Sequence, residues 1–282
     1  MSSNGSAPLL QTSPLLVPEG QKRDFAYEIK FLVPAATGDQ VLAWARSQLQ
    51  PDPHADGALG DGYLVQSLYF DTPDFDVFHR KGSYAKAKYR MRRYGTDDGL
   101  FLERKLKVSG RVLKRRTLVP PEALLKLKVE APDPKWEGFW FHRRLLARQL
   151  EPKCLIRYSR VARVGITSDG PVRLTVDRDV HCQLVNGLVV PCVDQGLKLL
   201  DGQNIVELKY RSTLPALFKT LIADLQLQPQ AVSKYRLTIQ TCLPDLVKPT
   251  EPKPDPSPAA GLEARVENRS KSRLPDSGGS AE

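Results

Sequence analysis

The sequence contains few of the residues that build redox or zinc sites. Its 282 residues include four cysteines and four histidines, and no two cysteines form a CxxC pair. Cys154, Cys182, Cys192 and Cys242 are widely separated, so neither a zinc site nor a disulfide framework is expected. Reduced thiols in the cytoplasm are the default for such cysteines. A Ser-His or Cys-His pattern for nucleophilic catalysis is not visible either.

Long apolar runs are missing as well. No run approaches the roughly 18 residues that a membrane span requires. The N-terminus lacks a basic region followed by an apolar stretch, which is the pattern of a secretory signal. We therefore expect a cytoplasmic, soluble protein without a transmembrane segment.

The two ends of the chain have a composition typical of disorder. Residues 1–22 are rich in Ser, Pro and Gly, and residues 248–282 combine these residues with mixed charge. We predict a disordered N-terminal segment over 1–22, one folded domain over 23–247 and a disordered tail over 248–282. The net charge is +10, and because both ends are nearly neutral the excess belongs to the domain. Such an excess favours an anionic ligand.

The clearest pattern in the domain is a strict alternation of cations. Residues 86–92 read Lys-Ala-Lys-Tyr-Arg-Met-Arg. Successive side chains of an extended strand point to opposite faces, so all four cations would share one face. Burying them unpaired would cost several kcal/mol each. This face is therefore expected to look onto something strongly anionic.

The alternation recurs in four further segments. In each segment, charged residues lie on one side of the predicted strand and apolar residues on the other. The charged sides contain Glu28 and Lys30; Glu103, Lys105 and Lys107; Arg173 and Asp177; and Glu207 and Lys209. An antiparallel sheet usually packs its apolar face against a core and exposes the other face to solvent. Solvent exposure explains one such charged segment well, but it explains five of them less well. We predict instead a closed sheet with a charged lumen and helices packed outside.

Strands dominate the predicted elements, so the predicted class is α+β built on an antiparallel sheet. The predicted strands cover 26–33, 64–70, 84–94, 100–108, 111–119, 155–166, 171–180, 183–190 and 203–210. The predicted helices cover 37–49, 136–150 and 213–227. The last would begin with Ser212 or Thr213 as its cap and Pro215 in its first turn. Asn186-Gly187 predicts a tight hairpin between two short apolar runs.

A succession of motifs along the domain resembles a known family. In order they are YEIKF (27–31), SLYFDTPDFDVFHRK (67–81), KYRMRRYG (88–95), FLERKLKVSGRVLKRR (101–116), RYSRVA (157–162), VRLTVDRD (172–179), VELKY (206–210) and VSKY (232–235). Together they resemble the polyphosphate polymerase domain of vacuolar transporter chaperone (VTC) proteins, in the CYTH, or triphosphate tunnel metalloenzyme, superfamily. The resemblance covers nearly all of residues 24–240. It implies a CYTH-like antiparallel β-barrel or triphosphate tunnel, lined by Lys, Arg and Glu, with helices packed outside.

The resemblance also implies a set of site residues. The phosphate-binding cations of the catalytic centre would be Lys30, Arg90, Arg92, Lys105, Arg160 and Arg173. Further contacts to the substrate would come from Lys88, Lys107, Lys114, Lys209, Ser233 and Lys234. Arg80 or Lys81 should supply another cation, and the single register step between them leaves the choice open. Glu207 matches the family's metal-binding carboxylate, for Mn²⁺ or Mg²⁺.

These residue types fit phosphate chemistry in their own right. Arg binds phosphate oxygens bidentately and Lys acts as a point charge. A carboxylate is out of place among anionic oxygens unless a divalent cation joins them, which favours Glu207 as a metal ligand. Glu28 and Glu103 could be metal ligands or salt-bridge partners of the cations, and we favour the partner role. Arg115 and Arg116 could face the lumen or only solvent.

The resemblance implies an ATP-dependent polyphosphate polymerase, a metal-dependent phosphotransferase that adds the ATP γ-phosphate to a growing chain. Its partners would be ATP and inorganic polyphosphate. The sequence does not identify a membrane-protein partner, and nucleic acid is not expected.

Other functions remain as alternatives. A tripolyphosphatase or NTPase would use water as the acceptor, and a non-catalytic protein would only bind polyphosphate or nucleotide. An outer basic face that binds nucleic acid is a weaker alternative. The first strand, with Glu28 and Lys30, lacks the first Glu of the ExExK motif of other CYTH enzymes. This departure argues against a cyclase or a thiamine triphosphatase.

Overall fold

The computed structural model describes residues 27–53, 55, 60–95, 98–108, 111–192 and 196–247, without the side chains at 107, 108, 111, 112 and 247. The predicted disordered segments 1–22 and 248–282 lie outside the described residues. The chain divides into two units, Met1–Cys242 and Leu243–Glu282. In the second, the described residues include a 3₁₀ helix over Pro244–Val247. The sheet, the helices and the candidate site belong to the first.

The strands of the first unit form one antiparallel sheet, which confirms the predicted class. They are β1 (Tyr27–Pro34), β2 (Gln50–Pro51), β3 (Gly62–Asp71), β4 (Ala87–Tyr94), β5 (Leu100–Val108), β6 (Arg111–Val119), β7 (Glu151–Thr167), β8 (Gly170–Leu184), β9 (Leu197–Lys198) and β10 (Gln203–Tyr210). The order in the sheet is β1-β10-β8-β7-β3-β4-β5-β6, with β2 paired to β7 and β9 to β8.

Short helices join and cover these strands. They are α1 (Ala35–Gln48), α2 (Asp76–His79), α3 (Phe139–Ala147), α4 (Ala216–Asp224) and α5 (Lys234–Cys242), with 3₁₀ helices over Gly82–Lys86 and Pro121–Lys128. Within the described ranges, no helix has the length and apolar character needed to cross a membrane.

One face of the sheet is apolar, and helices cover it. Phe31 of β1, Leu174 of β8 and Leu208 of β10 are fully buried against Val41 of α1 and Phe218 of α4. The predicted stripe of α1 is part of this core, and the helix begins two residues before the predicted start. Burying a side chain of this size contributes about 1.5–3 kcal/mol. The apolar members of the alternating segments therefore point outward, toward the helices.

Helix α3 covers the same outer face at the other end of the sheet. The ring of Phe141 lies 5.7 Å from that of Phe70 in β3 and 6.1 Å from that of Tyr89 in β4. Trp140 donates from Nε1 to Thr117 of β6, and the guanidinium of Arg115 lies 4.4 Å from a Trp140 ring centroid. Arg115 thus belongs to the outer face.

The opposite face carries the alternating charges, and the sheet curls around it. Glu28 of β1 accepts a hydrogen bond of 2.6 Å from Lys105 of β5, although these strands lie near opposite ends of the sheet. Arg173 of β8 donates to the Tyr63 hydroxyl of β3 across the intervening β7, at 3.0 Å. We call this concave surface the charged face. Its curvature gives the barrel-like tunnel that was expected.

The ladder of backbone hydrogen bonds does not close into a barrel. Its path ends at β1 on one side and at β6 on the other, so the predicted closed sheet is an open, curled one. A closed barrel would need these first and last strands to pair. We call the gap between β1 and β6 the seam. The ion pair of Glu28 with Lys105 links β1 to β5 beside it.

Three local predictions differ from the structure. Asn186-Gly187 forms no hairpin, because β8 stays paired with β7 up to Leu184 and the described residues 185–192 form no strand. The strand predicted over 84–94 begins at Ala87, after a 3₁₀ helix. Helix α4 has Pro215 itself as its N-cap rather than Ser212 or Thr213.

Candidate functional site

Glu103 of β5 gathers four cations on the charged face. Its carboxylate lies 2.7 Å from Arg90 Nε, 2.8 Å from Lys114 Nζ, 3.6 Å from Arg116 Nε and 3.9 Å from Arg92 Nη1. Strand register explains this, since Glu103 directly faces Arg90 in β4 and Arg116 in β6. The Glu103 side chain is 2% exposed. Burial would raise its pKa, but Arg90, Arg92 and Lys114 hold that pKa well below its usual value, so the carboxylate is charged.

Tyrosine hydroxyls complete the surroundings of these arginines. Arg90 donates to the Tyr69 hydroxyl at 3.1 Å, and Arg92 donates to that of Tyr158 at 3.2 Å. Burial would raise the pKa of Tyr69, but Arg90 and Arg92 lower it to about 8. Burial would also raise the pKa of Tyr94, but Arg92 lowers it to about 7. Phenols that ionise so readily report a strongly positive potential at this part of the face.

Two carboxylates share one lysine where β1 meets β10. Lys30 Nζ lies 2.8 Å from Glu28 and 2.7 Å from Glu207, its direct partner in the ladder. The second oxygen of Glu207 lies 2.7 Å from Lys209. Burial would raise the pKa of Glu207, but Lys209 and Lys30 hold it well below its usual value. Burial lowers the pKa of Lys209 to about 8, although Glu207 opposes the shift.

Asp177 of β8 organises a third group of cations. It accepts two hydrogen bonds from Arg160 of β7, at 2.6 and 2.8 Å, and pairs with Lys234 of α5. Burial would raise the pKa of Asp177, but Arg160 and Lys234 lower it to about 2. Nearby, Arg173 lies 3.0 Å from the buried carboxylate of Asp52. Each group therefore combines cations with an oriented carboxylate.

Helix α5 brings the chain's C-terminal motif onto the charged face. Ser233, just before the helix, accepts a hydrogen bond of 2.9 Å from Lys88 of β4. Tyr235 donates its hydroxyl to Asp71, which also accepts from the backbone N–H groups of Val77 and Phe78 in α2. Asp71 is thus a capping residue that also anchors α5. Burial lowers the pKa of Lys88 to about 8, with Lys105 and Lys30 adding repulsion.

Electrostatic coupling shows that the three groups face one interior. The Glu207 carboxylate interacts with Arg160 of the Asp177 group. The Tyr69 hydroxyl interacts both with Arg90 and Arg92 of the Glu103 group and with Lys234 of the Asp177 group. The structure therefore brings most of the sequence-derived site residues together. They are Lys30, Lys88, Arg90, Arg92, Lys105, Lys114, Arg160, Arg173, Glu207, Lys209, Ser233 and Lys234.

Arg80 and Lys81 lie elsewhere. Both side chains are exposed, Arg80 ends α2 in a left-handed conformation, and Lys81 lies 3.1 Å from Asp76. Both residues lie between α2 and the following 3₁₀ helix, because helices rather than an extended strand precede β4. Lys107 lies in β5 beyond Lys105, and its side chain is outside the described part of the chain.

Sequence reasoning left two members of the site unassigned. Arg116 faces Glu103 and lies 3.4 Å from the Phe101 ring centroid, whereas its neighbour Arg115 points outward. Counting back across the hairpin from Glu103 would have separated these two arginines. Asp177 was placed on the correct strand face but given no role, since nothing local shows that it meets Arg160 and Lys234.

The donors available for a metal ion are few. In the ranges that the structure describes, no group of three or more His, Cys, Asp or Glu could hold one. Glu28 and Glu207 nevertheless flank a single ammonium group, that of Lys30, so their oxygens already surround a cation. Mg²⁺ is commonly held by one or two carboxylates, with waters and substrate phosphates as its other ligands. Glu207 with Glu28 fits that pattern if Lys30 turns away.

Comparison with known proteins identifies one family. The family model of the VTC domain matches residues 25–243. No curated protein matches the chain.

Three solved structures that are similar to this chain come from Bacillus halodurans, Hippeastrum and Pyrococcus horikoshii. A candidate adenylate cyclase from Bacillus halodurans has 14% identity and a TM-score of 0.49, covering 78% of this chain and 98% of that one. A candidate adenylyl cyclase from Hippeastrum, with a described dominant triphosphatase activity, has 16% identity and a TM-score of 0.45, covering 76% and 95%. A Pyrococcus horikoshii protein has 12% identity and a TM-score of 0.43, covering 76% and 99%. At these scores the likeness carries no functional argument.

Proposed function

This chain belongs to the VTC domain family, and from that premise we propose that it is an ATP-dependent polyphosphate polymerase. The terminal phosphate of a polyphosphate chain attacks the γ-phosphorus of ATP. The bond from the γ-phosphorus to the oxygen that bridges the β- and γ-phosphates breaks, ADP leaves, and the chain grows by one phosphoanhydride. The observation that supports this most is the excess of cations over carboxylates on a buried, concave face.

That excess matches the charge of the substrate. Among the described residues, the carboxylates that pair with cations of the face are Glu28, Asp52, Glu103, Asp177 and Glu207, and the cations paired with them are Lys30, Arg90, Arg92, Lys105, Lys114, Arg116, Arg160, Arg173, Lys209 and Lys234. A triphosphate carries about four negative charges, and its transfer depends on neutralising them and aligning the reacting groups. Bound phosphates would therefore complete the charge balance of the face.

The carboxylates hold the cations in orientations suited to phosphate. Arg90 donates from Nε to Glu103 and from Nη1 to Tyr69, and these bonds do not involve its Nη2. Arg160 donates from Nε and Nη2 to Asp177, and these bonds do not involve its Nη1. An arginine fixed on one edge can offer its remaining N–H groups to phosphate oxygens, and a fixed donor needs no reorganisation as charge moves in the transition state. Positioning by such donors supplies the catalysis, and a nucleophilic side chain is not required.

Glu207 would hold the divalent ion, Mn²⁺ or Mg²⁺, with Glu28 nearby. When bound, the ion would be coordinated by both carboxylate and phosphate oxygens, and it would neutralise charge on the phosphate. Lys30 and Lys209, which now occupy the two oxygens of Glu207, would then turn to phosphate. The carboxylate thus has a reason to lie on a face built for anions.

Helix α5 would hold the polymer. Lys88 donates to Ser233 and Lys234 pairs with Asp177, so these groups surround the start of α5 on the charged face. These groups can bind any part of a phosphate chain, because every unit of the chain is the same.

The proposal is tested by incubating the protein with ATP and Mn²⁺ and measuring acid-stable polymer. Arg90→Met should reduce polymer synthesis by about 100-fold or more, because it removes a donor fixed at the reacting centre. Arg115→Met, on the outer face of β6, is the matched control and should change the rate less than about twofold. Equal activity of the two variants would remove Arg90 from the site.

The products separate the remaining functions. Orthophosphate without polymer would mean a tripolyphosphatase or NTPase, in which water takes the place of the chain. Tight binding of polyphosphate without any turnover would mean a binding protein, and Glu207→Ala should then leave metal-free binding almost unchanged.

A further inference from the structure

Three cysteines meet where the C-terminal end of α5 packs against the sheet. The Sγ atom of Cys182 in β8 lies 3.6 Å from that of Cys242, the last residue of α5. Cys154 of β7 is fully buried beside them, and burial together with these two thiols raises its pKa well above the usual value. Sixty residues separate Cys182 from Cys242, so the chain itself does not explain their contact.

We propose that Cys182 and Cys242 form a reversible disulfide when the protein meets a small-molecule disulfide. A disulfide has its sulfur atoms about 2.05 Å apart, so the two sulfur atoms have to approach by about 1.5 Å. Cys242 is the last residue of α5, and rotation of its side chain would supply this movement. The pair lies at the last turn of α5 and has no part in the proposed transfer reaction.

The exchange proceeds in two balanced steps. The Cys242 thiolate attacks one sulfur of the small disulfide, which forms a mixed disulfide and releases the first small thiolate. The Cys182 thiolate then attacks Sγ of Cys242, forms the protein disulfide and releases the second small thiolate. Each protein thiol loses one proton, and each released thiolate takes one up. The protein pair is oxidised by two electrons, and the small disulfide is reduced to two thiols.

Exposure sets the order of these steps. Cys242 is partly exposed, whereas the Cys182 residue is 1% exposed and Cys154 is fully buried. Burial, together with the contact with Cys242, raises the pKa of Cys182 to about 12. Cys182 is therefore a poor first nucleophile, but it stands next to the sulfur that the second step must reach.

The disulfide would fasten the C-terminal end of α5. The first turn of α5 is held through Lys234 to Asp177 and through Tyr235 to Asp71. A bond from Cys242 to β8 would fix the last turn as well. Ser233 and Lys234 would then leave the charged face less often, and on the proposed function this would slow release of the polymer. Reduction would free the helix end again.

The bond itself is tested by mass spectrometry. Reduced protein is equilibrated with oxidised and reduced glutathione, alkylated and digested, and one Cys182–Cys242 cross-linked peptide per chain is expected. Cys242→Ser should abolish it, and Cys182→Ser should do the same once circular dichroism shows the variant folded. Cys192→Ser, at an exposed cysteine elsewhere, should leave it unchanged. Glutathione retained on Cys242, or a bond to Cys154 or Cys192 instead, would overturn the proposal.

The effect on α5 is measured by hydrogen exchange. Amides of the last turn of α5 should exchange at least about tenfold more slowly in the oxidised protein, because fraying of the tethered end is suppressed. Unchanged exchange in protein that carries the cross-link would overturn the fastening role. Neither measurement needs ATP or polymer, so a failed polymerase assay and a failed disulfide would be seen separately.

Discussion

At the scale of single residues, a few buried carboxylates determine where the cations point. Glu103 serves Arg90, Lys114 and Arg116 at once, and Asp177 serves Arg160 and Lys234. A buried ion pair adds little to stability as a whole, but removing one partner leaves the other charge without compensation. The carboxylates are therefore the sensitive members of each group.

Glu103→Gln should lower the free energy of unfolding by about 3–5 kcal/mol, the range for breaking a buried pair. Arg90 and Lys114 would lose their counter-charge while staying on the face. Urea denaturation measures the change, and Glu130→Gln, at an exposed position, should shift it by less than about 0.5 kcal/mol. A loss at Glu103 as small as that at Glu130 would contradict this account of the group.

Polyphosphate binding should weaken as the pH rises from 7 to 9.5. Burial lowers the pKa values of Lys88 and Lys209 to about 8, so both lose their charge above that pH unless an anion holds the proton on them. Each group should then reduce affinity by up to about tenfold per pH unit. Calorimetric titration measures this, together with proton uptake on binding. Lys209→Met should flatten the profile, and a flat profile in the unmodified protein would refute the role of these lysines.

The alternation of charges made much of this site predictable from sequence. A period of two places Arg90 and Arg92, or Glu103 and Lys105, on one face whatever the rest of the fold does. The pattern says nothing about which face is concave, or which cation meets which carboxylate. Those facts depend on strands far apart in sequence, as in the contact of Lys105 with Glu28.

At the scale of elements, α1 packs unusually close to β10. A Cβ added at Gly38 would lie 2.2 Å from Nδ2 of Asn204, a buried side chain that hydrogen-bonds to the backbone of Ala35. Gly38→Ala should therefore destabilise the protein by up to about 2 kcal/mol, since a clash of about 1–3 kcal/mol is offset by a gain of about 1 kcal/mol in helix propensity.

The matched test of this contact places Gly38→Ala in an Asn204→Ala background. With the obstructing amide gone, the same substitution should be neutral or stabilising, as thermal unfolding would show. If Gly38→Ala costs the same in both backgrounds, the close approach to Asn204 is not its cause.

Elements that depend on tertiary contacts escaped prediction. Helix α5 contains Thr238 and Ile239, which are poor helix formers, and it exists because Tyr235 and Ile239 are buried against the sheet. In the opposite sense, Asn186-Gly187 is a strong local turn signal that the long pairing of β8 with β7 overrides. Helices with a local apolar stripe, such as α1, were predicted with good bounds.

At the scale of the whole molecule, the charged face makes stability depend on the anion in solution. Tripolyphosphate at 100 times its dissociation constant should stabilise the fold by about 2.7 kcal/mol, which raises Tm by about 5–10 °C. Sodium chloride at the same ionic strength should raise Tm far less, because chloride cannot bridge several cations at once. Equal shifts from the two salts would mean that screening, rather than binding, stabilises the protein.

The seam between β1 and β6 has a mechanical consequence. In a closed barrel the girth is fixed, because widening it breaks backbone hydrogen bonds along a whole strand. Here the side-chain ion pair of Glu28 with Lys105 lies beside the gap. The space enclosed by the charged face can therefore widen or narrow when the ion pair of Glu28 with Lys105 is exchanged for contacts with phosphate. Every strand would keep its backbone hydrogen bonds to its neighbours.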